Sequence, residues 1–191
     1  MGNRNLYRLC GDGILVAIYC VLSILTIRIT PNLQITFTGL VILIACVLYG
    51  PWDAILIALI GSFISQLRSV YGLTITTPLW MIPPVLRAAA FGIAYELFFI
   101  KGVRLEEKKV LYFILSVLAG LIVTIANTAA IFLDAMILGY PAAFAWLETL
   151  FRFLSSIGSS VACALLSLPV IYALQKTGFV RERNKKKPTA E

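Results

Sequence analysis

Residues 39–54 read Gly39-Leu-Val-Ile-Leu-Ile-Ala-Cys-Val-Leu-Tyr-Gly50-Pro51-Trp52-Asp53-Ala54, an uncharged apolar run that stops at Gly50-Pro51 and then resumes. Glycine followed by proline ends one helix and opens the next. The same pattern extends both ways along the 191 residues. Six apolar stretches lie at about 10–29, 36–50, 52–67, 79–100, 109–138 and 145–175, with Thr30-Pro31-Asn32 and Gly139-Tyr140-Pro141 as further breaks. A helix of about 20 apolar residues spans a bilayer core. The expected fold is therefore an all-α integral membrane protein of six transmembrane helices, forming one domain over 1–191. The last two stretches, near 30 residues, are expected to tilt or protrude.

Composition agrees. Hydrophobic residues make up 60% of the chain and charged residues 13%, against about 25% charge in a soluble domain. The mean hydropathy is +0.94. The opening MGNRNLYRLC leads into an apolar segment too long for a signal-peptide core and without a cleavage pattern, so it is expected to stay as the first membrane helix. Leu6 stands where myristoylation needs Ser or Thr. Cys10, Cys20, Cys46 and Cys163 are scattered and read as packing residues. Histidine is absent, which removes the commonest general base and metal ligand. No catalytic residue, metal site or cofactor is expected.

Charge sets the expected orientation. With six spans and both termini in the cytoplasm, 12 of the 16 basic residues fall inside and only Arg28, Arg68, Arg87 and Arg152 do not. That is the positive-inside bias. The basic tail, 176–191, is expected to be a solvated anchoring end, with contact to anionic lipid as the alternative. No basic patch with interleaved aromatics suggests nucleic acid.

Polar residues inside the spans carry the functional reading. A charge at the bilayer centre costs about 2.5–3.5 kcal/mol on insertion scales. Arg87, Asn127, Asp134 and Arg152 all lie in such stretches. Trp80, Pro84 and Arg87 share a stripe on the fourth helix, Asn127 and Asp134 one on the fifth, and Glu148, Arg152, Ser155 and Ser159 one on the sixth. All three occupy the outer half, rimmed by Tyr71, Trp80, Tyr140 and Trp146. Above them the Gln66–Trp80 connection, with Arg68 and Tyr71, is the longest irregular stretch outside, and a lid over a small-molecule pocket is expected there. Internal pairing of arginines with Asp134 or Glu148 is the structural alternative. On the first helix, Gly13 and Ala17 form a small-xxx-small step that lets another membrane helix approach closely.

Residues 39–54, Gly61-Ser62-Phe63, the Pro78-Leu-Trp80…Arg87 block and Asn127-Thr128…Asp134…Gly139-Tyr140…Arg152 together resemble the S components of energy-coupling factor (ECF) vitamin transporters, over roughly residues 10–175. The resemblance implies a bacterial plasma-membrane subunit that binds one vitamin or precursor in an outward-open pocket built from the last three helices. It implies docking through the first helix onto a transmembrane T component with two ATPase subunits. Gly13 and Ala17 match the family's Ala-xxx-Ala motif, with glycine in the first place. It also implies transport by toppling of the whole subunit. The chain has no Gly-rich Lys-Ser/Thr phosphate loop, in keeping with ATP hydrolysis elsewhere.

On that reading Arg87 and Arg152 meet anionic or carbonyl oxygens and Asn127 meets a heterocycle edge. Asp134 and Glu148 pair the arginines or accept ligand N–H groups, while Trp80 and Trp146 stack. Two arginines favour an anion, folate-like or pantothenate-like. Balanced acids and an asparagine favour a neutral amino-bearing heterocycle of pyrimidine or deazaguanine type. Thr77-Pro-Leu-Trp80 stands where folate-type members carry Phe-Pro-Gly-Phe, which counts against folate. The competing class is an MreD-like structural membrane protein, similar in size and helix count, with paired charges and no small-molecule ligand. An intramembrane enzyme would have only Asp134 with Glu148 as an acid–base pair.

Overall fold

The computed structural model describes residues 2–28, 34–68, 73–139 and 143–176, the side chains of 2–5, 7, 28, 34, 35 and 143–150 excepted. Among them are six helices: α1 (Gly2–Ile24), α2 (Thr38–Leu48), α3 (Pro51–Leu67), α4 (Thr77–Ile100), α5 (Lys109–Leu138) and α6 (Ala143–Lys176).

The first helix differs most from the apolar pattern. It starts at Gly2, inside the polar opening segment, because Leu6, Leu9 and Cys10 extend its outward face by two turns. It ends at Ile24, five residues before the apolar run does. The Ser23 hydroxyl donates to the Cys20 carbonyl at 2.7 Å and that of Thr26 to Ser23 at 2.6 Å, closing the last turn. β-Branched Thr26 and Ile27 then favour extended backbone. A two-residue antiparallel ribbon follows, β1 (Ile27–Arg28) against β2 (Gln34–Ile35), with Ile27 opposite Ile35. The strands add to the all-helical expectation. Thr30-Pro31-Asn32 lies outside the described residues.

The opening apolar run becomes the middle of the molecule. Every residue from Val41 to Leu48 is buried, and α2 packs on α1, α3, α4 and α6. An all-round apolar helix belongs in a core. Its 11 residues reach only about 16 Å at 1.5 Å per residue, so α2 is a short inner strut. Gly50 turns the chain with φ 104°, a conformation other residues rarely adopt, and Pro51 opens α3. Gly92 of α4 seals this corner, since a Cβ there would lie 2.9 Å from Pro51 Cα.

Three helical segments, Thr77–Ile100, Lys109–Leu138 and Phe151–Lys176, are long and apolar enough to cross a membrane. α4 carries Pro83 and Pro84 in its interior. Proline has no N–H, so the carbonyls of Leu79 and Trp80 lose their donors four residues on. α5 ends at Gly139, in the left-handed conformation with φ 74°, its N–H bonded to the Ala135 carbonyl at 2.8 Å.

Two networks lock the end where α4 turns into α5. Phe91 packs edge-on against Tyr112, ring centres 5.4 Å apart, and the Tyr112 hydroxyl lies 2.7 Å from Ser167 Oγ. Glu106, buried in the α4–α5 connection, accepts Tyr95 Oη at 2.8 Å and Gln175 Nε2 at 3.1 Å. Its backbone carbonyl accepts Tyr172 Oη at 2.6 Å.

Candidate functional site

α5 and α6 are joined by small polar residues. Ser116 Oγ donates to the Ser160 carbonyl at 3.2 Å and Ser156 Oγ to the Gly120 carbonyl at 2.9 Å. These bonds set an antiparallel register in which four residues along α5 match four residues back along α6. The seam admits a third helix at Arg87 of α4. Arg87 is buried, at 8% exposure, and its Nη2 donates to Ser160 Oγ at 2.8 Å.

Two glycines make room for that cation. A Cβ on Gly39 of α2 would overlap Arg87 Nη1. One on Gly120 of α5 would overlap Ser160 Oγ and lie 3.3 Å from Arg87 Nη2. The ionisable groups facing the guanidinium are Tyr19 of α1 and Cys163 of α6. Arg87 thus sits where α1, α2, α4, α5 and α6 approach one another.

The other expected residues spread along the seam. Arg152 is buried on α6, eight residues before Ser160, or about 12 Å along the axis. By the register it falls level with Thr124. Asp134 is buried on α5, fourteen residues beyond Gly120 and level with the start of α6. Asn127 and Trp80 are half-buried, and Arg68 is exposed at the end of α3. The side chains of Trp146 and Glu148 on α6, and Tyr71 altogether, lie outside the described residues. The expected Gln66–Trp80 connection is shortened at both ends, because α3 continues to Leu67 and α4 begins at Thr77. There Thr74 N–H donates to Thr77 Oγ1 at 2.9 Å and Thr74 Oγ1 lies 2.9 Å from Thr76 Oγ1. Hydroxyls thus tie the turn that leads into α4.

The stripe on α6 runs one residue off the expected one. Arg152, Ser156 and Ser160 point into the bundle, whereas Ser155 and Ser159 turn back on their own helix, bonding the carbonyls of Arg152 and Ser156 at 3.1 Å each. Ser160, Gly39, Gly120, Tyr19 and Cys163 are not among the residues expected from sequence. A small residue every four positions, Ser156-xxx-Ser160-xxx-Ala164, is the signal that points to Ser160.

Gly13 and Ala17 are exposed on α1, and a Cβ on Gly13 would meet nothing within 4 Å. The opposite face is tied down. Tyr49 Oη occupies the place a Cβ on Gly11 would need, and the Tyr19 ring lies 2.5 Å from one on Gly61. Arg8 forms an ion pair with Asp53 and donates to the Tyr49 carbonyl at 3.0 Å. Among the described residues no group of three His, Cys, Asp or Glu is placed to hold a metal ion.

A family model described as ECF transporter, substrate-specific component, matches residues 8–174. The chain belongs to that family. A solved structure, reported as the structure and mechanism of the S component of a bacterial ECF transporter, covers 97% of this chain and is itself covered completely. The TM-score is 0.52 and the identity 18%, a likeness of fold. No curated protein sequence matches. For an S component, the buried arginine on the α5–α6 seam and the open small-residue face of α1 are the two features that call for a functional account. The first is a polar centre away from water. The second is bare surface on a helix whose other side is fully packed.

Proposed function

We propose that this S component is the high-affinity binding subunit of an ECF-type importer for a vitamin or vitamin-like precursor in the bacterial plasma membrane. It has no ATPase site of its own and works with a T component and two ATPase subunits. The bundle crosses the membrane six times with both termini in the cytoplasm, α2 being held inside the bundle. The observation that carries this reading is the buried Arg87 guanidinium, set by Gly39 and Gly120 against Ser160. A bundle without a ligand gains nothing from a cation there, because burying one costs several kcal/mol unless it is well partnered. No observation favours the MreD-like alternative.

Substrate enters between α4, α5 and α6 from the end that carries the ribbon. Arg152, Asn127 and Asp134 line the way in, and Trp80 offers a stacking surface. Excluding water there strengthens each hydrogen bond to the bound molecule. The docking face is Gly13 and Ala17, on the back of the helix whose inner face carries Tyr19. A molecule bound beside Arg87 therefore acts on α1 through Tyr19, and docking and binding are thermodynamically linked.

Co-expression with a T component and its ATPase pair tests the assignment. Tagged wild-type chain should carry all three subunits through purification, and membranes with the complete set should take up substrate on ATP addition. A chain that never associates with such a module would contradict it.

A further inference from the structure

The Arg87 site is incomplete as it stands. A guanidinium has five N–H donors, and among the described residues its hydrogen bond goes to one neutral hydroxyl, Ser160 Oγ at 2.8 Å. The described ion pairs Arg8–Asp53 and Arg104–Glu107 belong to other parts of the bundle, and neither involves Arg87. Its ionisable neighbours are a phenol and a thiol, Tyr19 and Cys163, not carboxylates. Ser160 is fully buried and accepts from Arg87. A buried cation and a buried hydroxyl thus share one place, and no carboxylate stands among the ionisable groups described beside them.

We infer that the substrate of this S component carries an anionic oxygen group, a carboxylate or phosphate, which is received by the Arg87 guanidinium and the Ser160 hydroxyl. The inference rests on the proposed binding function and names the chemical class of its ligand. A planar guanidinium fork matches two oxygens of either group. Gly39 and Gly120 make the room that the two receiving groups themselves occupy, since side chains there would fall on Nη1 and on Ser160 Oγ. Ala88, next to Arg87 in the chain, is fully buried, so the charge pair forms away from water. Pro83 and Pro84 lie just before Arg87, and the turn of α4 that precedes them lacks two internal hydrogen bonds, at the Leu79 and Trp80 carbonyls. That stretch is the part of the wall most easily displaced as the anion enters.

The test uses the full purified chain in detergent and the small-molecule fraction of yeast extract, offered whole or after passage over a strong anion exchanger. Thermal unfolding is the readout. The whole fraction should raise the melting temperature and the anion-depleted one should not, with the compound recovered from the whole fraction bearing carboxylate or phosphate. Arg87→Met should abolish the shift, Arg87→Lys should weaken binding of the recovered compound at least tenfold, and Ser160→Ala should weaken it about tenfold. The depletion comparison uses wild-type chain alone and stands even if Arg87→Met does not fold. Equal shifts from both fractions would overturn the inference and leave the binding function intact. A full shift from sodium phosphate or chloride alone would also overturn it, marking a resident inorganic ion. No shift from either fraction would overturn the binding function itself, and the inference with it.

Discussion

Arg87 Nη2 donates to Ser160 Oγ at 2.8 Å, joining α4 to α6 across positions 73 residues apart in the chain. The bond ties the buried arginine of α4 to the seam that α5 and α6 build from serine and glycine.

Gly39→Ala and Gly92→Ala should behave differently. The methyl on Gly39 meets the far end of Arg87, which can swing away, so the fold should survive while the guanidinium leaves Ser160. Substrate affinity should fall more than tenfold with little change in melting temperature. The methyl on Gly92 meets Pro51 Cα at 2.9 Å, and backbone cannot swing away. Overpacking of this kind costs about 1–3 kcal/mol. Melting curves and equilibrium binding on the two purified variants separate the effects.

Gly13→Leu and Ala17→Leu should each block assembly with the T component while leaving melting temperature and substrate affinity at wild-type values. Both positions are exposed and nothing lies within 4 Å of the Gly13 Cβ site, so neither change disturbs the chain's own packing. Gly61→Leu on α3 is the contrasting control, because the root of the buried Tyr19 ring, on the inner face of α1, already lies 2.5 Å from its Cβ site and the fold itself should suffer.

Buried Glu106 holds Tyr95, Gln175 and Tyr172 in one network. Tyr172→Phe removes one bond to a carbonyl and should cost about 1 kcal/mol. Glu106→Ala strands the buried Tyr95 hydroxyl and the half-buried Gln175 amide and should cost about 2 kcal/mol, seen as early loss of α6 protection in hydrogen exchange. Neither substitution touches the Arg87 site, so affinity measured below the melting transition should stay unchanged.

Much of this arrangement is legible in the amino-acid sequence. Gly50-Pro51 marks a real corner, because positive φ at one residue and a missing N–H at the next admit no continuous helix. Arg87, Asp134 and Arg152 are all buried, as charges inside apolar stretches suggest. Depth is what the pattern does not supply. Periodicity places a residue on a face, but only the interhelical bonds Ser116–Ser160 and Ser156–Gly120 put Arg87 level with Ser160 and Asp134 several turns away. The same ambiguity hides the inner stripe of α6, where Ser155 and Ser156 differ by one step of helical rotation. The ribbon after α1 is hidden for another reason. Thr26 and Ile27 are as apolar in composition as the helix that leads into them, and hydropathy does not separate extended from helical backbone.

The most direct measurement is native mass spectrometry of the wild-type chain purified in detergent from cells grown in rich medium. The account predicts one small molecule per chain, retained through purification and absent from the Arg87→Met variant. A stable, folded and empty wild-type chain, equally empty after exposure to a panel of vitamins and their precursors, would contradict it.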